Sequence, residues 1–588
     1  MRWTLRNADP QDVQRLALES NLPPSLARLL VVRGIDTADR AHKFLSPSLE
    51  DLHDPYLMTG LRAAVGRLRA AIERGETVLI YGDYDVDGTT AIVILKAALE
   101  LCGGKVDYHV PHRIREGYGM RDEVIERAAE RGIRLIVSVD TGIRAFAAAD
   151  TAERCGVDLI VTDHHLPQSD GVPKALAVVN PNQPGCAYPC KSLCGAGVAF
   201  KIAQALLVES GRERLLPSFL KMVAIATIAD AVPLVGENRV FAKLGLEGLR
   251  KPVNAGLRAL LSNCDLDGSR PLSAGDIAFR VAPRLNAAGR MDIAERVIQL
   301  FTEKDASKAA EMAMQLDELN GDRQQEEQRI IDEVLQKIES TPELKDGYCL
   351  VIDGEGWHRG VIGICATRVV ERYHRPTIVF SCENGEAHGS GRSIAPFHLL
   401  EALETCPELF TRFGGHSHAV GCALPTERIA ELRSRLDHHA RERLTQDDFI
   451  PVLEYDAEVS LDDIKRDFWV TLQRLEPFGS GNPVPVFVSR EAKLIQPARL
   501  LKDKHLKLRA ISSDQATGKT GWQRAHDVIG WRMADRVEYS SLLPGDRLDL
   551  AFTLDYNEHP EFGGVQLNLV DFTRVVPGER AASATERP

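Results

Sequence analysis

The sequence predicts a multidomain α/β protein in which a doubly wound parallel sheet is followed by a long linker helix, a smaller α/β domain and a C-terminal β-barrel. Three observations predict it. Short apolar runs suited to buried strands alternate with helix-length segments between residues 77 and 179. Residues 302–340 contain no proline and one glycine amid dense charge. From residue 450 onward the pattern turns to short alternating segments. One core cannot hold 588 residues, and a typical domain of about 150 residues implies three or four.

In chain order, residues 1–75 read as short helices broken at Pro23-Pro24 and Pro47, with 63–74 an amphipathic helix. Strands are expected at 77–82, 105–110, 134–139, 158–162 and 175–179, with helices at 90–101, 122–131 and 144–155 between them. The segment 1–300 is taken as one N-terminal and catalytic body, 301–342 as a solvated linker helix with apolar residues at Met312, Leu316, Leu319, Ile330, Val334 and Ile338. A second α/β domain over 343–445 has strands at 348–352, 377–381 and 422–424 and helices at 361–373 and 397–406. Between those strands lie two glycine-rich stretches, 389–393 and 414–421. Residues 450–575 suit a small barrel of the oligonucleotide-binding type (an OB fold), with strands at 493–495, 506–509, 528–531, 548–554 and 565–572. One face would present His505, Lys507 and Arg509 beside Lys502 and Lys504, and 576–588 reads as a disordered tail.

Apolar stretches are strand-sized, and Met1–Asn7 lacks the apolar core of a signal peptide, so a cytoplasmic protein with no membrane partner is expected. The 11 cysteines form no small-domain disulfide pattern, which fits reduced thiols. Cys186, Cys190 and Cys194 recur every fourth residue, but the spacing is not a pair of C-x₂-C sites and no fourth ligand is evident, so they read as small loop residues. The net charge of −12 speaks against a globally basic nucleic-acid binder, yet a locally basic groove or bound divalent ions would reverse that sign where it matters.

The chemistry concentrates at the ends of apolar runs. Thr77-Val78-Leu79-Ile80-Tyr81 stops at Gly82 and the alternating carboxylates Asp83, Asp85 and Asp87, followed by Gly88. Three like charges so close need a cation, and a glycine-containing turn would curl them around one or two ions. Hard oxygen ligands point to Mg²⁺ or Mn²⁺. Asp140 ends the 134–139 run, Asp163-His164-His165 ends 158–162, and Asp230 ends the apolar run 222–229. Asp140 alone could cap a helix, but its convergence with the other ends makes it the candidate bridge between two ions. Arg113, Arg115 and Tyr118 follow the second strand with phosphate-clamping and base-stacking chemistry. Ser390 and Arg392 repeat that composition, and Arg284, Asn286 and Arg290 either do the same or form a capped surface turn.

Tyr81-Gly82-Asp83-Tyr84-Asp85-Val86-Asp87-Gly88, Ser138-Val139-Asp140-Thr141-Gly142, Thr162-Asp163-His164-His165, Ala229-Asp230-Ala231-Val232-Pro233-Leu234 and Gly414-Gly415-His416, taken in this order, resemble the DHH phosphoesterase superfamily and, within it, its bacterial single-strand exonucleases. The resemblance runs from near the N-terminus to about residue 575 and implies a DHH domain, a DHHA1-type substrate-binding domain and an OB-fold nucleic-acid-binding domain. It implies one ion on Asp83, Asp85 and Asp140 and a second on Asp87, Asp140, His164 and Asp230. Asp140, His164 and His165 would be catalytic, with His165 against the scissile phosphate or the ligand shell. Arg113, Tyr118, Ser390, Arg392 and His416 would hold the 5′ end. The implied activity is processive 5′-to-3′ hydrolysis of single-stranded DNA to mononucleotides in recombination, mismatch repair and base-excision repair. The implied protein is a monomer acting beside single-strand-binding protein and a helicase.

Two rivals stand beside that reading. A member of the same superfamily could cleave short oligonucleotides, cyclic dinucleotides or pyrophosphate, but such shorter proteins lack a trailing barrel. A non-catalytic DNA-binding scaffold would not need the full set of metal-capable side chains.

Overall fold

The structure, a computed structural model, describes the chain apart from residues 114, 118, 292, 513–523, 537–540, 558–562 and 576–588. The tail expected over 576–588 and Tyr118 therefore lie outside the described residues. The chain forms two compact units, Ser48–Ile450 and Met1–Pro47 with Pro451–Pro588.

The first unit opens on five parallel strands in the order Lys105–His109, Thr77–Tyr81, Leu135–Val139, Asp158–Thr162 and Ala177–Val179. All five start within two residues of the expected position. All residues of Leu135–Val139 are buried, as a parallel strand covered on both faces requires. Val78, Ile80 and Val137 pack with the helices Leu61–Arg74, Val86–Leu101 and Gly195–Glu209. Leu79, Tyr81 and Ile136 pack on the other face against Val124, Ile125, Ala148 and Ala152. The winding reverses between Thr77–Tyr81 and Leu135–Val139, so a crevice opens at their carboxyl ends.

Two local expectations are corrected. The helix after the first strand begins at Val86 rather than residue 90, because the Asp85 side chain accepts the Gly88 N–H at 3.0 Å and caps it. The run ending at Asp230 is the helix Leu216–Ala229, whose apolar residues are buried nearly all round.

The expected linker is a helix over Ala306–Ser340, but it is packed rather than solvated. Ala309, Ala313 and Leu316 belong to the core beneath the parallel sheet. Ile330, Val334 and Ile338 belong to the core of the second domain. That domain is a five-stranded sheet in the order Arg412–Gly415, Ala419–Pro425, Glu386–Arg392, Thr377–Glu383 and Leu350–Glu355. The glycine-rich stretches expected between strands are largely strands themselves. Gly389 and Gly391 lie where a Cβ would come within 2.4 Å of Phe380 and 2.6 Å of Val420, so glycine is what lets these strands pack.

In the second unit, Phe487–Leu494, Arg547–Asn557, Gly564–Arg574, His526–Gly530 and His505–Ile511 pair in sequence, and the last pairs back to the first to close a five-stranded barrel. Residues 1–47 join this barrel rather than the catalytic body. Leu16, Leu26, Leu30 and Phe44 share its core with Phe487, Leu508 and Phe552, Arg2–Leu5 pairs in parallel with Val452–Tyr455, and Arg6 and Arg33 both reach the fully buried Asp456. Nothing in residues 1–75 marks this partner, since short apolar helices pack equally well on either body. Among the described residues no helix is long and apolar enough to cross a membrane.

Candidate metal centre and nucleic-acid cleft

Seven side chains singled out from the sequence as metal-binding or catalytic converge at the crevice. Ligand atoms of Asp83, Asp85 and Asp140 lie within 4.8 Å of one another, as do those of Asp87, His164 and Asp230, and of Asp140, His164 and His165. His164 Nε2 stands 3.2 Å from Asp140, 3.8 Å from Asp87 and 3.9 Å from Asp230. Asp140 belongs to the first group, and His164 Nε2 connects it to Asp87 and Asp230.

The local backbone is built around these positions. Asp140 has φ +60° and Ala231, next to Asp230, has φ +55°, both in the left-handed region that costs a non-glycine residue on the order of 1 kcal/mol. Asp140 is no helix cap, because the next helix starts at Phe146 with Ala145 as its cap. A Cβ on Gly195 would fall 2.5–2.7 Å from the Asp140 carboxylate, and one on Gly88 would fall 2.6–2.7 Å from the Asp83 backbone. Gly195 and Ala196 donate their N–H groups to Asp87 at 2.5 and 2.8 Å from the first turn of Gly195–Glu209, which fixes the orientation of its carboxylate. Asp163 is fully buried and accepts from the backbone of Ile143, His164 and His165 and from His165 Nδ1 at 2.7 Å. It orients both histidines rather than joining the cluster.

Electrostatics favour a cation here. Burial, and then the neighbouring carboxylates, push the Asp83, Asp85 and Asp140 carboxyls above their ordinary range and Asp230 up to about 8. Two such charges about 4 Å apart repel by about 4 kcal/mol at an effective dielectric of ~20, a large share of a net folding stability of ~5–15 kcal/mol. Oδ1 of Asp83 is buried without a hydrogen-bond donor, and Oδ1 of Asp140 is buried with no well-aligned hydrogen bond although His164 Nε2 lies 3.2 Å away. Buried orphan oxygens in an all-oxygen and imidazole set fit divalent cations of the Mg²⁺ or Mn²⁺ type. Burial lowers His165, but the Asp163 hydrogen bond and the charges of Asp163, Asp230 and Asp87 together push it up to about 9, which favours the cationic ring at neutral pH.

A second cluster is cationic. The Arg113 guanidinium lies 4.9 Å over the Tyr84 ring. Burial, then the charges of Arg113 and Arg323, lower Arg290 to about 10, and burial followed by Arg113 lowers Arg392. Arg392 Nη1 donates to the Gly391 carbonyl at 2.7 Å and to Ser390 Oγ at 3.4 Å, and Gly363 lets the Ser390 hydroxyl approach. Guanidinium groups that depress one another so close together are suited to a phosphate. His416 is exposed, and burial followed by the charges of Arg144 and His165 lowers it.

Arg284 and Asn286 have other partners than those expected. Their segment is the helix Ala282–Met291, not a turn. Arg284 is held by Asp317 at 2.7 Å and by the Arg280 carbonyl, which fixes this helix to Ala306–Ser340. Asn286 accepts the Val86 N–H at 3.2 Å, and Gly289 packs where a Cβ would strike the Tyr84 carbonyl, so the helix supports the aspartate loop. Sequence reading missed Tyr84, Arg144 and Arg323. Tyr84 could have been found, sitting between Asp83 and Asp85, whereas Arg323 is one arginine among many on a charged helix. Cys194 is buried and caps Gly195–Glu209, and among the described residues no metal-capable group includes Cys186, Cys190 or Cys194.

Comparison with known proteins fits this geometry. Family models match as the N-terminal domain of the DHH family over residues 77–227, the DHHA1 domain over 346–442 and the RecJ OB domain over 455–571. The single-stranded-DNA-specific exonuclease RecJ of Dickeya dadantii is 37% identical over 569 residues, covering 94% of this chain and 96% of that protein. The chain belongs to the RecJ family. The Bacillus subtilis RecJ is 38% identical over 95% of this chain and 69% of its own length. The crystal structure of RecJ from Thermus thermophilus in complex with Mn²⁺ superposes with a TM-score of 0.83 at 28% identity, covering 98% of this chain and 80% of that one. A RecJ crystal structure with Mg²⁺ from the same organism also matches. The RecJ family therefore supplies both cations that the carboxylate cluster fits.

Proposed function

We propose that the protein is a metal-dependent exonuclease that hydrolyses single-stranded DNA to mononucleotides from the 5′ end. The observation that carries this reading is the pairing of two sites in one unit: a centre of Asp83, Asp85, Asp87, Asp140, His164 and Asp230, and a guanidinium cluster beside it. One cation would be held by Asp83, Asp85 and Asp140, the other by Asp87, His164 and Asp230 with Asp140 shared. When bound, two divalent cations supply Lewis-acid neutralisation of phosphate oxygens and an activated water. The protein's own residues do the rest. Asp163 fixes His165 so that its positive charge faces the scissile phosphate, the N–H groups of Gly195 and Ala196 hold the Asp87 carboxylate in place, and Arg113, Arg290, Ser390 and Arg392 hold a terminal phosphate. A clamp for a terminal 5′-phosphate lets only the next phosphodiester reach the metal centre, which sets the direction of degradation.

The names of the RecJ relatives, single-stranded-DNA-specific exonucleases, support the substrate. The complete ligand set argues against a non-catalytic scaffold, and the barrel argues against a dinucleotide enzyme. Action in the cytoplasm as a monomer, beside single-strand-binding protein and a helicase in repair and recombination, is part of the same proposal and rests on the family resemblance. The test is a competition assay with Mn²⁺ in which labelled single strands, duplexes and a dinucleotide are offered together. Mononucleotides from the single strand support the proposal. Preferential cleavage of the dinucleotide or the duplex overturns it.

A further inference from the structure

Beyond the Ser390–Arg392 clamp lies a cavity of about 600 Å³ lined by Arg113, Arg115, Arg121, Arg359, His388 and Arg412, together with Glu116 and Glu386. None of its five arginines forms an ion pair among the described residues, in a chain where acidic side chains outnumber basic ones by 84 to 72. The two glutamates are engaged. Glu116 accepts from His109 and from the His112 N–H, and Glu386 pairs with His388. Five guanidinium groups against two occupied carboxylates make a polyanion site.

Its position decides which polyanion. Ser390, Arg392 and His388 share one face of Glu386–Arg392, so His388 stands about 7 Å from Ser390 along the strand. Arg412 lies in the same row, through the pairing of both residues with Ala423. The Arg392 end of the strand pairs with Ala419, next to the loop whose His416 feels His165, so the cavity continues from the clamp away from the metal centre. Arg113 lines the cavity and also neighbours Arg392, which makes clamp and cavity one continuous cationic path.

We propose that this cavity is a polyphosphate subsite that admits strands ending in a 5′-triphosphate. It rests on the 5′-end reading above. With the first phosphate in the clamp, the second and third reach Arg359, His388 and Arg412. In the resulting turnover, water oxygen bonds to the phosphorus between the first two nucleotides and the P–O3′ bond breaks. O3′ leaves with a proton. The products are a nucleoside 5′-triphosphate and a strand one nucleotide shorter that carries a 5′-monophosphate, so only the first turnover uses the subsite.

The full-length protein, wild type and Arg359→Gln/Arg412→Gln, is given single strands of one sequence with a 5′-triphosphate, 5′-monophosphate or 5′-hydroxyl, and the first product is separated. Arg359 is half-buried and Arg412 exposed, so the variant should keep the wild-type melting temperature. If it does not, Arg412→Gln alone serves as the variant. Wild type should release nucleoside triphosphate from the triphosphorylated strand, and the variant should do so about tenfold more slowly, the scale of losing charge-assisted hydrogen bonds. Its rate on the monophosphorylated strand should stay within about twofold. Wild type that treats the triphosphate like the hydroxyl, or a variant that loses both rates equally, overturns the subsite. Loss of all hydrolysis by wild type would instead overturn the exonuclease reading. Inorganic tripolyphosphate and a free nucleoside triphosphate complete the test as competitors. Inhibition of wild type but not of the variant supports the subsite, and the nucleoside triphosphate inhibiting more strongly than tripolyphosphate would assign it to free nucleotides rather than strand ends.

Discussion

Asp140 combines a left-handed backbone, a side chain pressed against Gly195, and a place in the Asp83–Asp85 group 3.2 Å from His164. Asp140→Asn keeps a side chain that tolerates φ near +60° but removes the charge. The expected result is a loss of activity of about 10³-fold or more with an unchanged or raised melting temperature in metal-free buffer, because like-charge repulsion falls. Gly195→Ala tests the same contact from the other side. Its Cβ would displace the carboxylate by a fraction of an ångström to an ångström, for which a loss on the order of 10²-fold in turnover is expected with folding intact. Steady-state kinetics and thermal melts check both. At this scale the metal centre was legible in the sequence because each ligand ends an apolar run. Asp163 was legible too, as the carboxylate that orients the imidazoles, whereas the N–H groups of Gly195 and Ala196 were not, since they act through geometry. Arg284 was read two ways, as a phosphate contact or as part of a capped turn, and in the structure it sits on a helix and pairs with Asp317.

Among the elements, the short helical turn Ala274–Asp276 and the π turn Ile277–Val281 lead into Ala282–Met291, which braces the aspartate loop. Its capping box joins Ser273 to Asp276, and Arg270 binds the same carboxylate at 2.6 and 2.8 Å. Burial alone would raise the Asp276 carboxyl, but these donors bring it down to about 2. The folded value lies below the unfolded value of about 3.9, so the stabilisation is full above pH ~4 and fades as pH falls towards 2. Asp276→Asn should therefore cost on the order of 1 kcal/mol at pH 7, and the difference from wild type should shrink between pH 5 and pH 3. Denaturant titrations across that range measure it. Element types were mostly readable from period and length. The failures were Glu386–Arg392 and Arg412–Gly415, where glycines that permit close strand packing look like loop punctuation, and Ala306–Ser340, whose buried stripe is diluted by charge on its other faces.

For the molecule as a whole, Met1–Pro47 belongs to the barrel unit, a partnership with no local sequence signature because its contacts, such as Arg33 with Asp456, span more than 400 residues. Deleting Met1–Pro47 should expose Phe487, Leu508 and Phe552 and make the barrel protease-sensitive while Ser48–Ile450 stays resistant. Limited proteolysis with mass spectrometry reads this directly, and equal sensitivity of both units would contradict the division. The central claim, that one carboxylate cluster holds two cations and works from the 5′ end, is tested most directly by single-turnover release from a single strand carrying different labels at its two ends, followed across a Mn²⁺ titration. The account predicts that the 5′ label leaves first, at a rate that rises with the square of free Mn²⁺ below saturation and disappears in Asp140→Asn. First release of the 3′ label, or a strictly linear dependence on Mn²⁺, would contradict it.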